Sequence, residues 1–295
     1  TIGRGQTGRA LHDATADGAD NLIGRFGVGL LAAFMVADRV EVESRRFDLG
    51  PEQGVRWVNE GQQTYRIEAW SRRDAGTSVR LRMRETMAHM GTEVAVRGAL
   101  DRWARYLDVP MQFASGAVLR AGVLPWRDGD APEHVRAALE SAIALEWGEV
   151  RATARVRLVP FLHEGRRVEL HGLAMFAEQR SVAGKRGTTC IVVRRMVVER
   201  ENPTLLPAWA GMARAIVECG EFLPTASRES VKRDALHDAV AAAVESQLLD
   251  GLSRLRSEHP EQFRALLLTH RDSFLENAGR HPQVFDLVAD DMLLH

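Results

Sequence analysis

The stretch LIGRFGVGLLAAFMVA, residues Leu22–Ala37, decides the fold of the chain around it. Three glycines, Gly24, Gly27 and Gly29, lie close together, and a run typical of a helix follows from Leu30 to Ala37. Glycines at this density let the backbone turn tightly and direct several N–H groups toward one point. The helix adds its unpaired first amides and the positive end of its dipole, which suits a bound phosphate. The alternative is a glycine-rich turn that only packs a helix closely onto a sheet.

Size and composition narrow the class of protein. The chain has 295 residues, a length that predicts about two domains. Its 39 basic and 40 acidic residues give a net charge of −1, which does not favour a nucleic-acid partner. Cys190 and Cys219 are too few for a disulfide framework or a zinc cluster, so a reducing cytoplasm is expected. We find no apolar stretch of membrane-spanning length, and the start at Thr1 suggests a chain that begins inside a larger protein.

The first part of the chain follows an α+β pattern. After the opening helix, four stretches alternate apolar and polar residues as half-buried strands do: Arg39–Arg46, Val55–Glu60, Thr64–Trp70 and Thr77–Met83. Glu93–Leu107 then places apolar residues at helical spacing. A helix, several antiparallel strands and a closing helix are typical of an α+β layer. Gly116–Gly129, which carries glycines, Pro125 and Trp126, indicates a linker between domains at 1–115 and 116–295.

The second part mixes strands and helices. Strands are expected at Arg151–Phe161, at Val168–Phe176 and, as one continuous β-branched run, at Thr189–Val198. Helices are expected at Ala131–Trp147, Leu205–Cys219, Ser230–Ser257, Glu261–Asn277 and Val284–Leu294. The helix at Leu205–Cys219 would be opened by Pro207.

Several blocks of the sequence resemble the ninety-kilodalton heat-shock protein chaperone family of the bacterial HtpG type. Ile23–Gly29 with Ala33–Val40 is similar to its I-G-Q-F-G-V-G-F and S-A-F-x-V-A-D-x-V. The start, Thr1–Thr7, resembles its T-I-A-K-S-G-T, and Gly76-Thr77 with the strand that follows resembles its G-T-x-I-x-L. Leu206–Glu229 is similar, without a gap, to its middle-domain run ending in L-P-L-N-V-S-R-E.

The resemblance implies a fold. That family belongs to the GHKL ATPase group, whose ATP lies in a pocket of an α/β sandwich. Residues 1–115 would be the C-terminal part of a GHKL (Bergerat) sandwich, with its ATP lid at 1–22. Residues 116–295 would be an α/β middle domain of the kind found in ribosomal protein S5 domain 2, and the whole would be α+β.

The resemblance also implies site residues. Arg228 would be the catalytic arginine that reaches the γ-phosphate, where a planar guanidinium can stabilise charge on the equatorial oxygens. Without the resemblance, Arg228 is better interpreted as a helix-start residue after the cap Ser227. Thr77 would lie near the adenine, and Lys232 could supply a point charge to phosphate. The other nucleotide-binding positions would be Arg4, Gly24, Arg25, Gly27, Val28, Gly29 and Leu30.

The function implied is that of an ATP-dependent molecular chaperone that binds non-native proteins. Its cofactors would be ATP and Mg²⁺, and the family's catalytic glutamate and magnesium-binding asparagine would precede Thr1. The family's C-terminal dimerisation domain would follow His295, so a homodimer is expected for the intact protein and an inactive ATPase for this fragment. Arg25, Leu30, Thr225 and Lys232 depart from the family pattern, and 121–158 does not match it, which indicates a divergent subfamily.

Two other functions stay open. One is a GHKL ATPase of the DNA mismatch-repair or type II topoisomerase kind, which the neutral charge and the Ser227-Arg228-Glu229 block disfavour. The other is a degenerate GHKL module that binds without hydrolysis, which the departures at Arg25 and Lys232 permit. Neither nucleic acid nor a membrane is expected as a partner.

Overall fold

A computed structural model describes residues 29–119, 124–127, 133–148, 151–178, 186–225 and 229–292. These residues form helices and largely antiparallel sheets, a mixed α/β structure compatible with the predicted α+β class. The chain divides into two compact units, the first ending at Asp101 and the second beginning at Arg102. The domain limits expected from the sequence, 1–115 and 116–295, stay a prediction.

The first unit is built on a four-stranded antiparallel sheet in the order β3-β2-β1-β4. Its strands confirm the four predicted ones, with ends that differ by at most two residues, whereas the closing helix stops four residues before the predicted Leu107. The elements are α1 (Gly29–Val36), β1 (Ala37–Arg45), β2 (Gly54–Asn59), β3 (Arg66–Trp70), β4 (Gly76–Met83) and α2 (Glu93–Trp103).

The two faces of this sheet differ in chemistry because side chains alternate along each strand. On one face Val42 pairs across the strands with both Trp57 and Val79, which gives a row of apolar side chains. The opposite face carries charged pairs, such as Arg56 Nη2 to Glu41 Oε2 at 2.8 Å. The hydrogen bond from Arg56 is the main reason that the pKa of Glu41 lies below its usual value. We call the face that carries Val42, Trp57 and Val79 the apolar face.

The second unit contains a five-stranded sheet in the order β12-β11-β13-β10-β7. Only the pair β11–β13 is parallel in this sheet. Its strands are β7 (Ala152–Leu158), β10 (Leu170–Ala177), β11 (Thr188–Val193), β12 (Met196–Asn202) and β13 (Ala213–Cys219), and two small hairpins add β5 (Met111–Gln112), β6 (Val118–Leu119), β8 (Phe161–His163) and β9 (Arg166–Val168). The helices are α3 (Glu133–Trp147), α4 (Ala235–Glu258), α5 (Pro260–Thr269), α6 (Arg271–Ala278) and α7 (Pro282–Met292).

Helical layers bury both faces of the second sheet. Phe176 and Val217 belong to the larger core cluster, which includes the buried stripe of α4 at Val240, Val244, Leu248 and Leu252. Met175 and Ile216, their neighbours along the strands, belong to a second cluster with Tyr106, Trp126 and Ile143. A Cβ on Gly251 would lie 2.3 Å from Val156 Cγ2, so α4 contacts β7 too closely for a larger residue there.

A buried carboxylate holds part of the predicted linker onto this sheet. Glu218, on β13, is 2% exposed, and an unpaired charge at such a position is costly. Trp126 Nε1 donates to its Oε2 at 2.8 Å, and Arg127 donates from Nη2 to Oε1 at 2.7 Å. This hydrogen bonding raises the pKa of Arg127 above its usual value. Residues 124–127 are therefore fixed to the second unit.

The helix predicted at Leu205–Cys219 is wrong. The segment forms one 3₁₀ turn at Ala208–Ala210 and then the central strand β13. Both faces of β13 are covered, so six of its seven residues are buried and the period-two alternation of a half-exposed strand is absent. A short strand that is buried on both faces cannot be told from a buried helix segment by periodicity.

The single strand predicted at Thr189–Val198 is also wrong. The run forms two antiparallel strands, β11 and β12, and Val192 pairs with Val197. Arg194 and Arg195 make the turn between them with φ of 49° and 67°. Two-residue turns with positive φ usually contain Asn or Gly, so a pair of arginines gave no turn signal in the sequence.

His270 interrupts the helix predicted at Glu261–Asn277, and it is buried between α5 and α6. Its Nε2 lies 2.7 Å from the carbonyl oxygen of Ala177, and its buried Nδ1 has no hydrogen-bond partner among the described residues. Burial is the main cause that lowers the pKa of His270, against the smaller raising effect of the Ala177 carbonyl. The fold therefore holds this imidazole neutral.

We expect His270 to make the second unit less stable in acid. Below about pH 6.5 the unfolded chain binds a proton that the folded histidine resists, so the free energy of unfolding falls as the pH falls. For this one group the loss has an upper limit of about 1.4 kcal/mol per pH unit. Urea denaturation between pH 7.5 and 5.5 should show a steeper loss in the wild type than in His270→Gln. Parallel curves for the two proteins would contradict this prediction.

Candidate functional site

The start of α1 is the first part of the candidate site. Gly29 and Leu30 are its first two residues, and both are exposed. At the other end of the helix, Phe34 meets the ring of Trp57 edge-on, with centroids 6.5 Å apart. Arg84 Nη2 donates to the carbonyl oxygen of Phe34 at 2.9 Å. The last turn of α1 is thus fixed to the apolar face, whereas its first described residues, Gly29 and Leu30, are exposed.

The hydroxyl groups of Ser44 and Thr77 form the second part of the candidate site. Thr77 lies at the start of β4, opposite Ser44 at the end of β1, and their side-chain oxygens are 2.8 Å apart. Both residues lie in the same alternating row as Val42 and Val79, on the apolar face. Either hydroxyl can donate or accept, so the pair offers both functions to a polar group that reaches this face.

The apolar face is open to solvent next to these groups. Val55 is 49%, Ile67 63% and Val79 55% exposed. A contiguous exposed apolar surface of this kind marks a place where a ligand or another part of a protein binds. The face can therefore receive a flat, apolar group beside the Ser44–Thr77 pair.

The pairing of Leu223–Thr225 with Ser230–Lys232 in the second unit is the third part of the candidate site. Pro224 and Val231 form an antiparallel bridge, and the Lys232 amide donates to the carbonyl oxygen of Leu223 at 2.8 Å. The carbonyl oxygen of Ser230 accepts from the Thr225 amide at 2.8 Å and from Thr225 Oγ1 at 3.1 Å. These bonds join the two short segments, and the side chain of Lys232 is exposed beside them.

Four of the ten predicted site residues can be placed. Gly29, Leu30 and Thr77 belong to the first unit and Lys232 to the second. Among the described residues, no hydrogen bond joins the start of α1 to Thr77. The other six lie outside the described residues, so their roles stay predictions: Arg4, Gly24, Arg25, Gly27, Val28 and Arg228.

Sequence patterns alone do not point to Ser44, Glu199 or Ser230. Ser44 lies in a predicted strand, but its partner Thr77 is 33 positions later, and the register between two strands is not visible in one sequence. Glu199 accepts a hydrogen bond from Ser230 Oγ at 2.7 Å across 31 positions. Because the turn at Arg194-Arg195 has no turn signal, nothing in the sequence places β12 beside Ser230.

In the part of the chain that the structure describes, no group of three or more His, Cys, Asp or Glu side chains could hold a metal ion. Nor does any helix in those residues have the length and apolar character needed to cross a membrane.

Comparisons with known proteins support the resemblance found in the sequence. No family model matches the chain. The chaperone protein HtpG of Alkalilimnicola ehrlichii is 26% identical over 296 residues, which cover 89% of this chain and 44% of that protein. HtpG of Nitratidesulfovibrio vulgaris is 27% identical over 90% of this chain and 42% of its own length. HtpG of Methylorubrum extorquens is 29% identical over 95% of this chain and 45% of its own length.

The class of protein that the chain is similar to is the HtpG chaperone, of the heat-shock protein 90 type. The chain is similar to these chaperones along most of its length, so the predicted resemblance is confirmed. Identities of 24–29% mark a divergent relative, as the departures from the family motifs predicted. The chain spans less than half the length of these curated relatives.

Proposed function

We propose that the protein carrying this chain is an ATP-dependent molecular chaperone that binds non-native proteins and assists their folding. The observation that supports this most strongly is the similarity to HtpG chaperones across both units, rather than in one motif. ATP binding, homodimer formation and a cytoplasmic location are parts of the same proposal.

The nucleotide would bind against the first unit, as in a GHKL sandwich. The amides from Gly27 to Leu30 would hold the terminal phosphates, because the glycine run leads directly into the exposed start of α1. Gly24 would allow the turn, and Arg4 and Arg25 would add positive charge. The adenine would lie beside Thr77, where the apolar face offers a surface for a flat ring and the hydroxyl pair a polar contact.

The second unit would supply the cations that act on the γ-phosphate. Arg228 would stabilise charge on the equatorial oxygens during phosphoryl transfer, and Lys232 would contribute a point charge. Arg228 lies between Thr225 and Ser230 in the sequence and Lys232 follows two positions after Ser230; the hydrogen bonds between Thr225 and Ser230 fix the chain just before Lys232. In this proposal, residues 1–115 act as part of the ATPase domain and residues 116–295 as an S5-like middle domain.

Magnesium would neutralise part of the triphosphate charge when bound. The described residues offer no cluster of metal ligands, so the ligands would come from other parts of the protein. The contribution of this chain is to bind phosphate and to place cations beside it.

The test uses the full-length polypeptide that carries this chain. A thermally unfolded model enzyme should aggregate less in its presence, and ATP hydrolysis should be required for the full effect. A protein that hydrolyses no ATP and does not change aggregation would overturn the proposal. ATP binding without hydrolysis would favour the degenerate module instead.

A further inference from the structure

We infer that Glu199 is a positioning residue for the phosphate contact proposed at Lys232, an inference that rests on the proposed function. Glu199 lies on β12, where it pairs with Ile191, a residue with no exposed surface. Its Oε2 accepts from Ser230 Oγ at 2.7 Å. An O–H donor to an ionised carboxylate makes a short and strong hydrogen bond.

This bond fixes the chain just before Lys232. Ser230 is held through its side chain by Glu199 and through its carbonyl oxygen by Thr225. Val231, the next residue, is 3% exposed and belongs to the larger core cluster. The backbone at Ser230 and Val231, just before Lys232, is therefore hydrogen-bonded to the sheet and packed in the core.

A second hydrogen bond fixes the chain just after Lys232. Asp234 is the N-cap of α4, and its Oδ1 accepts from the His237 amide at 3.1 Å. Lys232 thus lies in a short segment anchored on both sides, although its own side chain is exposed. With the backbone anchored, only the side chain of Lys232 has to lose conformational freedom when a phosphate arrives, which lowers the cost of placing its ammonium group.

Glu199 acts only through this segment. A carboxylate repels phosphate, so Glu199 would not be a direct ligand, and its effect should appear in turnover rather than in ATP binding. Gln at position 199 keeps an acceptor oxygen for Ser230 Oγ and should preserve the position, whereas Ala should release it.

The experiment measures kcat and KM for ATP in the full-length protein, together with the thermal midpoint. Glu199→Ala and Ser230→Ala should each lower kcat about 10-fold with KM unchanged, since small displacements of a catalytic contact cost rates of this order. The double variant should lose no more than either single one, because both remove the same bond. Glu199→Gln should retain the wild-type kcat, and so should Glu201→Ala, a matched control at an exposed glutamate of the same strand.

The Lys232→Met variant distinguishes failure of the proposed phosphate contact from failure of the positioning role of Glu199. Wild-type kcat in Lys232→Met would remove the proposed phosphate contact, and this inference with it. A low kcat in Lys232→Met together with normal kcat in Glu199→Ala would overturn the positioning role and leave the proposed function standing. A further 10-fold loss when Glu199→Ala is added to Lys232→Met would also overturn it. A wild-type protein without ATP hydrolysis would overturn both the proposed function and this inference.

Discussion

Replacing Arg228 with alanine is expected to lower ATP turnover by the full-length protein about 10³-fold, while nucleotide affinity changes little. In the proposal, this arginine meets the phosphate from a different unit than the one that binds ATP. Its guanidinium then contributes mainly to the transition state, where charge develops on the equatorial oxygens. A contact made only at that stage changes kcat and not the dissociation constant.

Single-turnover hydrolysis at saturating ATP measures this effect without interference from product release. Arg233→Ala is a suitable control, because Arg233 is an exposed arginine five positions further along. We expect the control to hydrolyse ATP at the wild-type rate. An unchanged rate in Arg228→Ala would show that the arginine takes no part in hydrolysis. Loss of ATP binding in this variant would show that the arginine already contacts bound ATP before the transition state.

Replacing Gly27 with valine is expected to abolish nucleotide binding. A branched side chain in the middle of the glycine run would fill the space where phosphate approaches the backbone. Loss of two hydrogen bonds to a charged phosphate, each worth about 2 kcal/mol, corresponds to a loss of affinity of about 10³-fold.

Calorimetric titration with ATP checks this prediction. Gly98→Ala is a control in the same unit, because a Cβ at Gly98 of α2 meets no atom within 4 Å. That variant should bind ATP normally. Normal affinity in a folded Gly27→Val protein would mean that the glycines serve only to pack the helix.

The sequence predicted the first unit better than the second for a physical reason. Strands β1 to β4 have one apolar and one polar face, so their residues alternate and the alternation is visible in the sequence. In the second unit β13 is covered on both sides and shows no alternation. The turn at Arg194-Arg195 has positive φ values that its residue types do not reveal.

The candidate site was predictable only where it depends on local sequence. The glycine run, Thr77 and the residues up to Lys232 form contiguous motifs, so a resemblance could identify them. Ser44 and Glu199 matter because of partners 33 and 31 positions away, and such pairs depend on strand register and on the path of the chain. One sequence carries no direct signal for either.

The most direct test of the ATP-binding proposal is amide hydrogen exchange of the full-length protein with and without ATP and Mg²⁺. Exchange reports local protection segment by segment, so it locates the binding site as well as detecting it. We predict that ATP slows exchange in residues 24–30 and in the strand that begins at Gly76. Unchanged exchange in both segments at an ATP concentration that saturates hydrolysis would contradict the placement of the nucleotide on this chain.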